Sequence, residues 1–151
     1  MRFRIATRND VSKIVELIAD DKLGRDREHY QRPLPTEYLT AFEHIDADQN
    51  QELIVVENDH AEVIGTMQLS FIQYLTYRGG IRAQIQSVRI RKDHRSLGIG
   101  KSMVEWAIKR AKERHAHLLQ LTTDKKRPEA IKFYKELGFK PTHEGMKLHF
   151  T

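Results

Sequence analysis

The sequence predicts an α/β fold, a mixed sheet with helices on both faces. Two observations carry this. Short apolar alternations of period two recur between stretches whose apolar residues repeat every three to four positions. Their order, β-α-α-β-β-β-α-β-α-β-β, is neither the uniform alternation of a parallel α/β fold nor a segregation of strands from helices. The chain has 151 residues, which fits a single domain, residues 1–151. A domain of this size buries about 70% of its unfolded surface, enough for a true core.

The elements follow in order. Phe3 and Ile5 alternate with Arg2 and Arg4, a strand pattern. Asn9 or Asp10 can cap a helix whose apolar face is Val11, Ile14, Val15 and Ile18. Residues 20–35 are polar, charged and aperiodic, and read as a long loop, the kind that binds or moves. Tyr38, Phe42 and Ile45 mark a second helix. Residues 52–57 and 61–72 read as a hairpin around Asn58-Asp59. Gly79-Gly80 precedes a further strand, residues 82–91. Ile99, Met103, Trp106, Ala107 and Arg110 share one helix face, and residues 118–123 form the next strand. Pro128 suits the first turn of a helix carrying Ile131, Phe133, Tyr134 and Leu137, which Gly138 stops. Residues 139–150 read as short strands around Gly145.

Composition narrows the function. Apolar residues are 39% and charged residues 31%, and no run of 18 apolar residues exists to span a membrane. The first residues lack the apolar region of a secretory signal. There is no cysteine, so disulfides, thiolate metal sites and a cysteine nucleophile are excluded. A cytoplasmic location is expected. Lysine and arginine number 26 against 21 acidic residues, a net charge of +5. This favours an anionic ligand without telling nucleic acid from a phosphorylated small molecule. His115 and His117 have no third ligand at metal spacing, and no metal site is expected.

The sharpest feature is Arg95-Ser96-Leu97-Gly98-Ile99-Gly100-Lys101, between a strand and an amphipathic helix. Glycines at i and i+2 allow positive φ and close backbone approach. The following helix leaves its first N–H groups unpaired, and with its dipole these form an anion site. Arg95 and Lys101 add charge, so a pyrophosphate is a natural guest. The spacing equally fits a glycine pair that only starts a helix. It is neither Gly-x-Gly-x-x-Gly nor a P-loop, whose first glycine would fall at Arg95.

Arg95-x-x-Gly98-x-Gly100 resembles the Gln/Arg-x-x-Gly-x-Gly/Ala signature of the GNAT superfamily of acetyl-CoA-dependent N-acetyltransferases. Ala130-x-x-Phe133-Tyr134-x-x-x-Gly138-Phe139 is similar to that family's later helix and its exit. With the element order, the resemblance covers essentially the whole chain. It implies a mostly antiparallel mixed sheet with two splayed central strands, acetyl-CoA as co-substrate and a small-molecule or peptide amine as acceptor. It implies that the backbone of Val88, Arg89 and Ile90 pairs with the pantetheine arm, and that the amides of Arg95, Ser96, Leu97, Gly98, Ile99, Gly100 and Lys101 hold the pyrophosphate. It also implies that Tyr134 faces the thioester sulfur, that residues 20–35 are the acceptor-binding element, and that the class admits a homodimer.

Two departures bear on the chemistry. Arg127 stands where many members have asparagine, and could reach the phosphates or simply cover the surface. Gln86 stands where many have a glutamate base, and glutamine cannot take a proton. A lysine-like amine with pKa about 10.4 is neutral at pH 7 in about one molecule in 2,500, so its proton must go somewhere. A water relay past Gln86 is one route; Glu57, Glu28, Asp124 and His117 are candidate bases that spacing does not rank. The N–H of Val88 or a neighbour could stabilise the oxyanion. Tyr134 could donate to the leaving thiolate, though full transfer from tyrosine to thiolate is uphill by about 2 kcal/mol. Its ring equally fits a core position beside Phe133. Two rival readings remain: a CoA-binding domain without catalysis, suggested by Gln86, and a small nucleic-acid-binding module using the basic residues and Phe71, Tyr74 and Tyr77, for which no recognition motif exists.

Overall fold

The computed structural model describes all 151 residues, which form two compact units, Met1–Gln120 and Leu121–Thr151. The first holds a five-stranded sheet in sequence order: β1 (Arg2–Ile5), β2 (Gln51–Glu57), β3 (Val63–Gln73), β4 (Ile81–Ile90) and β5 (Ala116–Gln120). β1 to β4 are antiparallel neighbours, and β5 runs parallel to β4. The helices are α1 (Val11–Ala19), α2 (Gly24–Arg27), α3 (Thr36–Ala47), a single turn α4 (Thr76–Gly79) and α5 (Ile99–Glu113), with α6 (Pro128–Glu136) in the second unit. No helix is long and apolar enough to cross a membrane.

Alternation along the strands sorts the helices onto opposite faces. Ile54 and Val56 of β2 pair with Met67 and Gly65 of β3, and Leu69 and Phe71 with Ile85 and Ala83 of β4. These residues share the face covered by α5. Phe3 stacks on Trp106, with ring centres 5.6 Å apart. Met103 lies so close over Gly65 that a Cβ there would meet its sulfur at 3.3 Å. Ile54, Met67, Leu69, Met103 and Val104 have no measurable exposure; each fully buried side chain of this size contributes about 1.5–3 kcal/mol. On the other face, Val55 joins Ala6, Val11, Ile14, Val15 and Phe42 in a cluster that seats α1 and α3.

Charge fastens both layers. On the α5 face, Glu52 is 7% exposed and accepts hydrogen bonds from Arg110 and Arg114. On the α1 face, Arg4 of β1 holds Asp10 and Glu57. Asp10 is therefore not the simple helix cap the sequence suggests. Its carboxylate turns back to accept the Thr7 N–H at 2.7 Å and the Arg4 guanidinium.

Other boundaries differ from the sequence reading for physical reasons. The loop of residues 20–35 contains α2, whose Gly24 passes against the end of α1; a Cβ there would lie 2.1 Å from the Ile18 carbonyl oxygen. β5 begins at Ala116 and ends at Gln120, so residues 121–123 lie outside the sheet. Residues 139–150 form no strand. Met146, Leu148 and Phe150 alternate as a strand would, yet they are 92%, 81% and 92% exposed. Alternation sets which way side chains point but supplies no hydrogen-bonding partner. Gly138 does stop α6: at φ +96 it closes the helix with Phe139 N–H donating to the Tyr134 carbonyl and Gly138 N–H to that of Lys135.

Burial tends to raise the Glu52 carboxyl, but the bonds from Arg110 and Arg114 more than offset this and hold it below its ordinary value of 4.5. A carboxylate lowered in the folded state adds stability above its unfolded pKa, and this is lost as pH falls through the folded value. Glu52→Gln is therefore expected to cost about 2–3 kcal/mol at pH 7, leaving two arginines uncompensated. The gap from wild type should close progressively below about pH 4.5. Urea melts of both proteins from pH 7 to pH 3 check this; a gap independent of pH would assign the loss to packing.

Candidate functional site

The site begins where the sheet stops being continuous. β4 pairs with β5 only from Ile81 to Gln84, opposite Ala116 to Gln120, although β4 runs on to Ile90. Residues 85–90 thus have β3 on one side and an unpaired edge on the other.

Two features decide what that edge presents. The first is a bulge. Gln68 pairs with Gln86 and Thr66 with Arg89, so Ser87 and Val88 together oppose Met67, and Ser87 takes φ +56. A bulge re-aims the backbone and leaves a residue out of the ladder. The second is the register beyond it. Arg91 donates its N–H to the Ile64 carbonyl of β3 at 2.7 Å. By the alternation of an antiparallel ladder, Arg89 also faces β3, and the N–H and C=O groups of Val88 and Ile90 face the open edge. Both carbonyls are occupied: Arg89 Nη1 donates to Val88 O at 2.8 Å, and Arg95 Nε to Ile90 O at 3.0 Å. The edge is left rich in donors.

The chain then turns into α5. Ser96 and Gly98 take left-handed φ of +64 and +80, and a Cβ on Gly98 would meet nothing within 4 Å. The constraint at Gly98 is thus its backbone conformation. Gly98 is the N-cap of α5; its carbonyl accepts the Ser102 N–H, and it makes no side-chain cap. The first N–H groups of α5 have no acceptor within the helix, and its first turn carries no acidic residue. Ser96, Leu97 and Lys101 are exposed, and Ile99 is buried as the anchor. A donor-rich edge running into an open helix N-terminus fits an extended amide arm followed by a polyanion.

The loop after α1 closes over one side. Arg89 Nη2 lies 3.5 Å from Asp21, and Arg95 Nη2 donates to the Asp20 carbonyl at 3.2 Å. Both aspartates lie in the stretch of residues 20–35 that the sequence marks as a long loop. They tie the loop to β4 and to the turn before α5.

On the face under α1, alternation aligns Gln84 and Gln86 of β4 with Gln68 and Ser70 of β3 and Gln51 of β2. Gln51 Oε1 accepts from Gln68 and Ser70, and Gln120 donates to Gln84 at 3.0 Å. Gln86 itself is exposed. Along β3 and β4, this face is lined by amides rather than carboxylates. The i, i+2 spacing of Gln84 and Gln86 was the sequence signal for it.

The candidate bases are engaged elsewhere. Glu57 is buried against Arg4. Glu28 accepts from the Tyr38 hydroxyl and from Arg27. Asp124 caps its own turn by accepting the Lys126 N–H, and His117 stacks on Tyr77 at 4.7 Å. In the second unit, Tyr134 is half-buried on α6, edge-on to Phe133 and Phe139 at 5.1 and 5.6 Å. Arg127 is the N-cap residue of that helix.

Comparison with known proteins agrees with this geometry. Residues 14–139 match the model of the acetyltransferase (GNAT) family. A crystal structure described as a transcriptional regulator from Bacillus halodurans C-125 is 52% identical, covers 99% of both chains and superimposes with a TM-score of 0.95. A predicted acetyltransferase from Clostridium acetobutylicum, solved with acetyl-CoA, is 24% identical over 98% of this chain and 95% of its own, with a TM-score of 0.76. The aminoalkylphosphonate N-acetyltransferase of Salmonella typhimurium is 31% identical over 84 residues, 56% of this chain and 54% of its own. The match thus spans about half the length of that relative. A family match over most of the chain, on a mixed sheet whose fourth strand loses its partner just before a glycine turn and a helix, makes this protein a member of the GNAT acetyltransferase family.

Proposed function

We propose that the protein is an N-acetyltransferase that moves an acetyl group from acetyl-CoA to a primary amine by direct attack in a ternary complex. The observation that carries this reading is the unpaired edge of β4, which leads through the left-handed Gly98 into the open N-terminus of α5.

Each residue then has a task. The N–H group of Ile90 pairs with the amide arm of the donor, and that of Val88 is kept for the thioester. The amides from Arg95 to Lys101, with the Lys101 charge, hold its pyrophosphate. Arg127 and its neighbours Lys125 and Lys126 are the partners proposed for the 3′-phosphate. The bulge at Ser87 turns the Val88 N–H toward the thioester oxygen, where negative charge grows during attack. The amine nitrogen bonds to the carbonyl carbon, the carbon–sulfur bond breaks, and the sulfur leaves as thiolate. Tyr134 donates a hydrogen bond to that thiolate. The proton lost by the amine passes to solvent along water held by the glutamine face, Gln86 foremost, since the carboxylates of that face, Glu57 and Asp10, are held by Arg4. No acyl-enzyme is involved in this reading, since the chain has no cysteine and its sequence shows no activated serine. An acceptor such as the one named for the Salmonella relative, an amine carrying an anion, agrees with a basic chain of net charge +5.

The description of the Bacillus halodurans neighbour as a transcriptional regulator raises the nucleic-acid reading. The basic end of α5 does not favour it, because Arg110 and Arg114 are engaged by Glu52 and Lys109 lies 3.9 Å from Glu113.

Titration calorimetry tests the donor site. Acetyl-CoA should bind with micromolar or tighter affinity, and Gly98→Asp should abolish binding by placing a carboxylate where the pyrophosphate sits. Donor lacking its 3′-phosphate should bind more weakly if Arg127 and its neighbours hold that group. Undiminished acetyl-CoA binding by the Gly98 variant would overturn the assignment of the turn. For the reaction, Tyr134→Phe should lower kcat about tenfold to a hundredfold while leaving the KM for acetyl-CoA within about twofold. An unchanged kcat would return Tyr134 to the core of its unit.

A further inference from the structure

We infer that Arg82 is an acceptor-specificity residue, a fixed guanidinium that holds an anionic group of the amine substrate. This rests on the proposed reaction and narrows its substrate class.

Arg82 lies near the start of β4, opposite Ile72 of β3 and Leu118 of β5. By alternation it stands on the same face as Gln84 and Gln86, in line with them along the strand. Its guanidinium carbon sits 4.2 Å from the centre of the Tyr74 ring and 5.6 Å from that of Tyr77. Tyr77 is in turn fixed by stacking on His117 and by its left-handed backbone in α4, φ +54. The arginine plane is thus set by aromatic faces on one side.

What sets Arg82 apart is its missing counter-ion. Arg4, Arg89, Arg91, Arg110 and Arg114 are half-buried to a similar degree, and each meets a carboxylate. Arg82 meets none. Its Nε is buried with no hydrogen-bond partner, and its terminal nitrogens make no hydrogen bond and reach solvent. A guanidinium nitrogen withdrawn from water without a partner is unfavourable, and ring faces compensate for it only in part. A carboxylate or phosphate-type oxygen reaching the terminal nitrogens would supply the strong, bidentate partner that this side chain lacks.

Position adds a length. From Arg82 to Gln86 is four residues, about 13 Å along the strand, and the Arg82 guanidinium lies against Tyr74 and Tyr77 beside the start of that strand. The acceptor that satisfies both ends is an extended amine with an anion on the order of 10 Å from its nitrogen, the size of a tripeptide with a free carboxylate. The half-buried amide of Gln84 lies between the two ends.

Triglycine and its C-terminal amide differ only in that anion, and they provide the test. With acetyl-CoA as donor, wild type should prefer the acid by about tenfold in kcat/KM. Arg82→Gln should erase the preference by raising KM for the acid alone, with kcat within about twofold, and Arg82→Lys should keep part of it. Calorimetry with N-acetyl-triglycine and its amide, with and without CoA, gives the same comparison without turnover. Aminoalkyl phosphonates matched in length to aminoalkyl carboxylates rank the two anions, and both should lose affinity in Arg82→Gln. Equal use and equal binding of acid and amide by wild type, or no binding of either, overturns the proposal. So does a variant that loses acid and amide alike, which would make Arg82 structural. If acetyl-CoA does not bind, the proposed reaction fails, while the acid-against-amide binding still reads the Arg82 site by itself.

Discussion

The arrangement of the site depends on one constraint: β4 has a neighbour on both sides for only its first few residues. Strand edges are normally paired or covered, because an open row of N–H and C=O groups invites any chain that can pair with it. Here the open stretch is short and buried on the α5 face by Ile85, and its outward carbonyls are covered by Arg89 and Arg95. What remains is a set of donors, selective for acceptors such as carbonyl oxygens. The bulge at Ser87 is the second half of the constraint. Without it, Arg89 would not fall opposite Thr66, and a different set of backbone groups would face the gap.

Electrostatics holds the surrounding parts in register with that edge. Arg89 and Arg95 each work twice, once on a β4 carbonyl and once on the aspartates after α1. The loop after α1 is therefore fastened to the same strand and turn that carry the donor-rich edge. Gly24 permits this closure, since no larger residue could pass the Ile18 carbonyl without moving α1. Elsewhere the charge is used for fastening alone. Glu52 pins the last turns of α5 to β2, and Asp10 with Glu57 pins β1 to the start of α1 through Arg4.

Much of this was legible in the sequence, and the reason differs from part to part. Gly98 and Gly138 were readable because their backbone conformations exclude most other residues, so the residue type reports the geometry. The faces of β2 and β3 were readable because burial enforces alternation. The bulge at Ser87 was not readable, because it exists only relative to the register of β3 and leaves no mark in residue type. Nor were the partners of Arg89 and Arg95, which lie more than sixty residues away in the chain. The strands expected after residue 138 fail for the opposite reason. Met146, Leu148 and Phe150 carry a clear period of two, but a period is a property of side chains, whereas a strand exists only when its backbone is paired.

The amide face poses the question that the proposed chemistry must answer. Glu57 and Glu28, two of the carboxylates the sequence offered as bases, are both engaged by cations or hydroxyls. A glutamine can orient a water but cannot accept its proton, so in the proposed reaction the face lowers the cost of moving charge without storing it. An acceptor whose own amine has a low pKa would lose least by this. An α-amino group, near 8, is neutral at pH 7 in about one molecule in ten, against about one in 2,500 for a lysine-like amine. The same preference follows from the other end of the face, where an anion held by Arg82 at tripeptide distance describes a short peptide with a free N-terminus. Proton economy at Gln86 and charge complementarity at Arg82 are distinct properties of one strand, and in the proposed reaction they favour the same kind of acceptor.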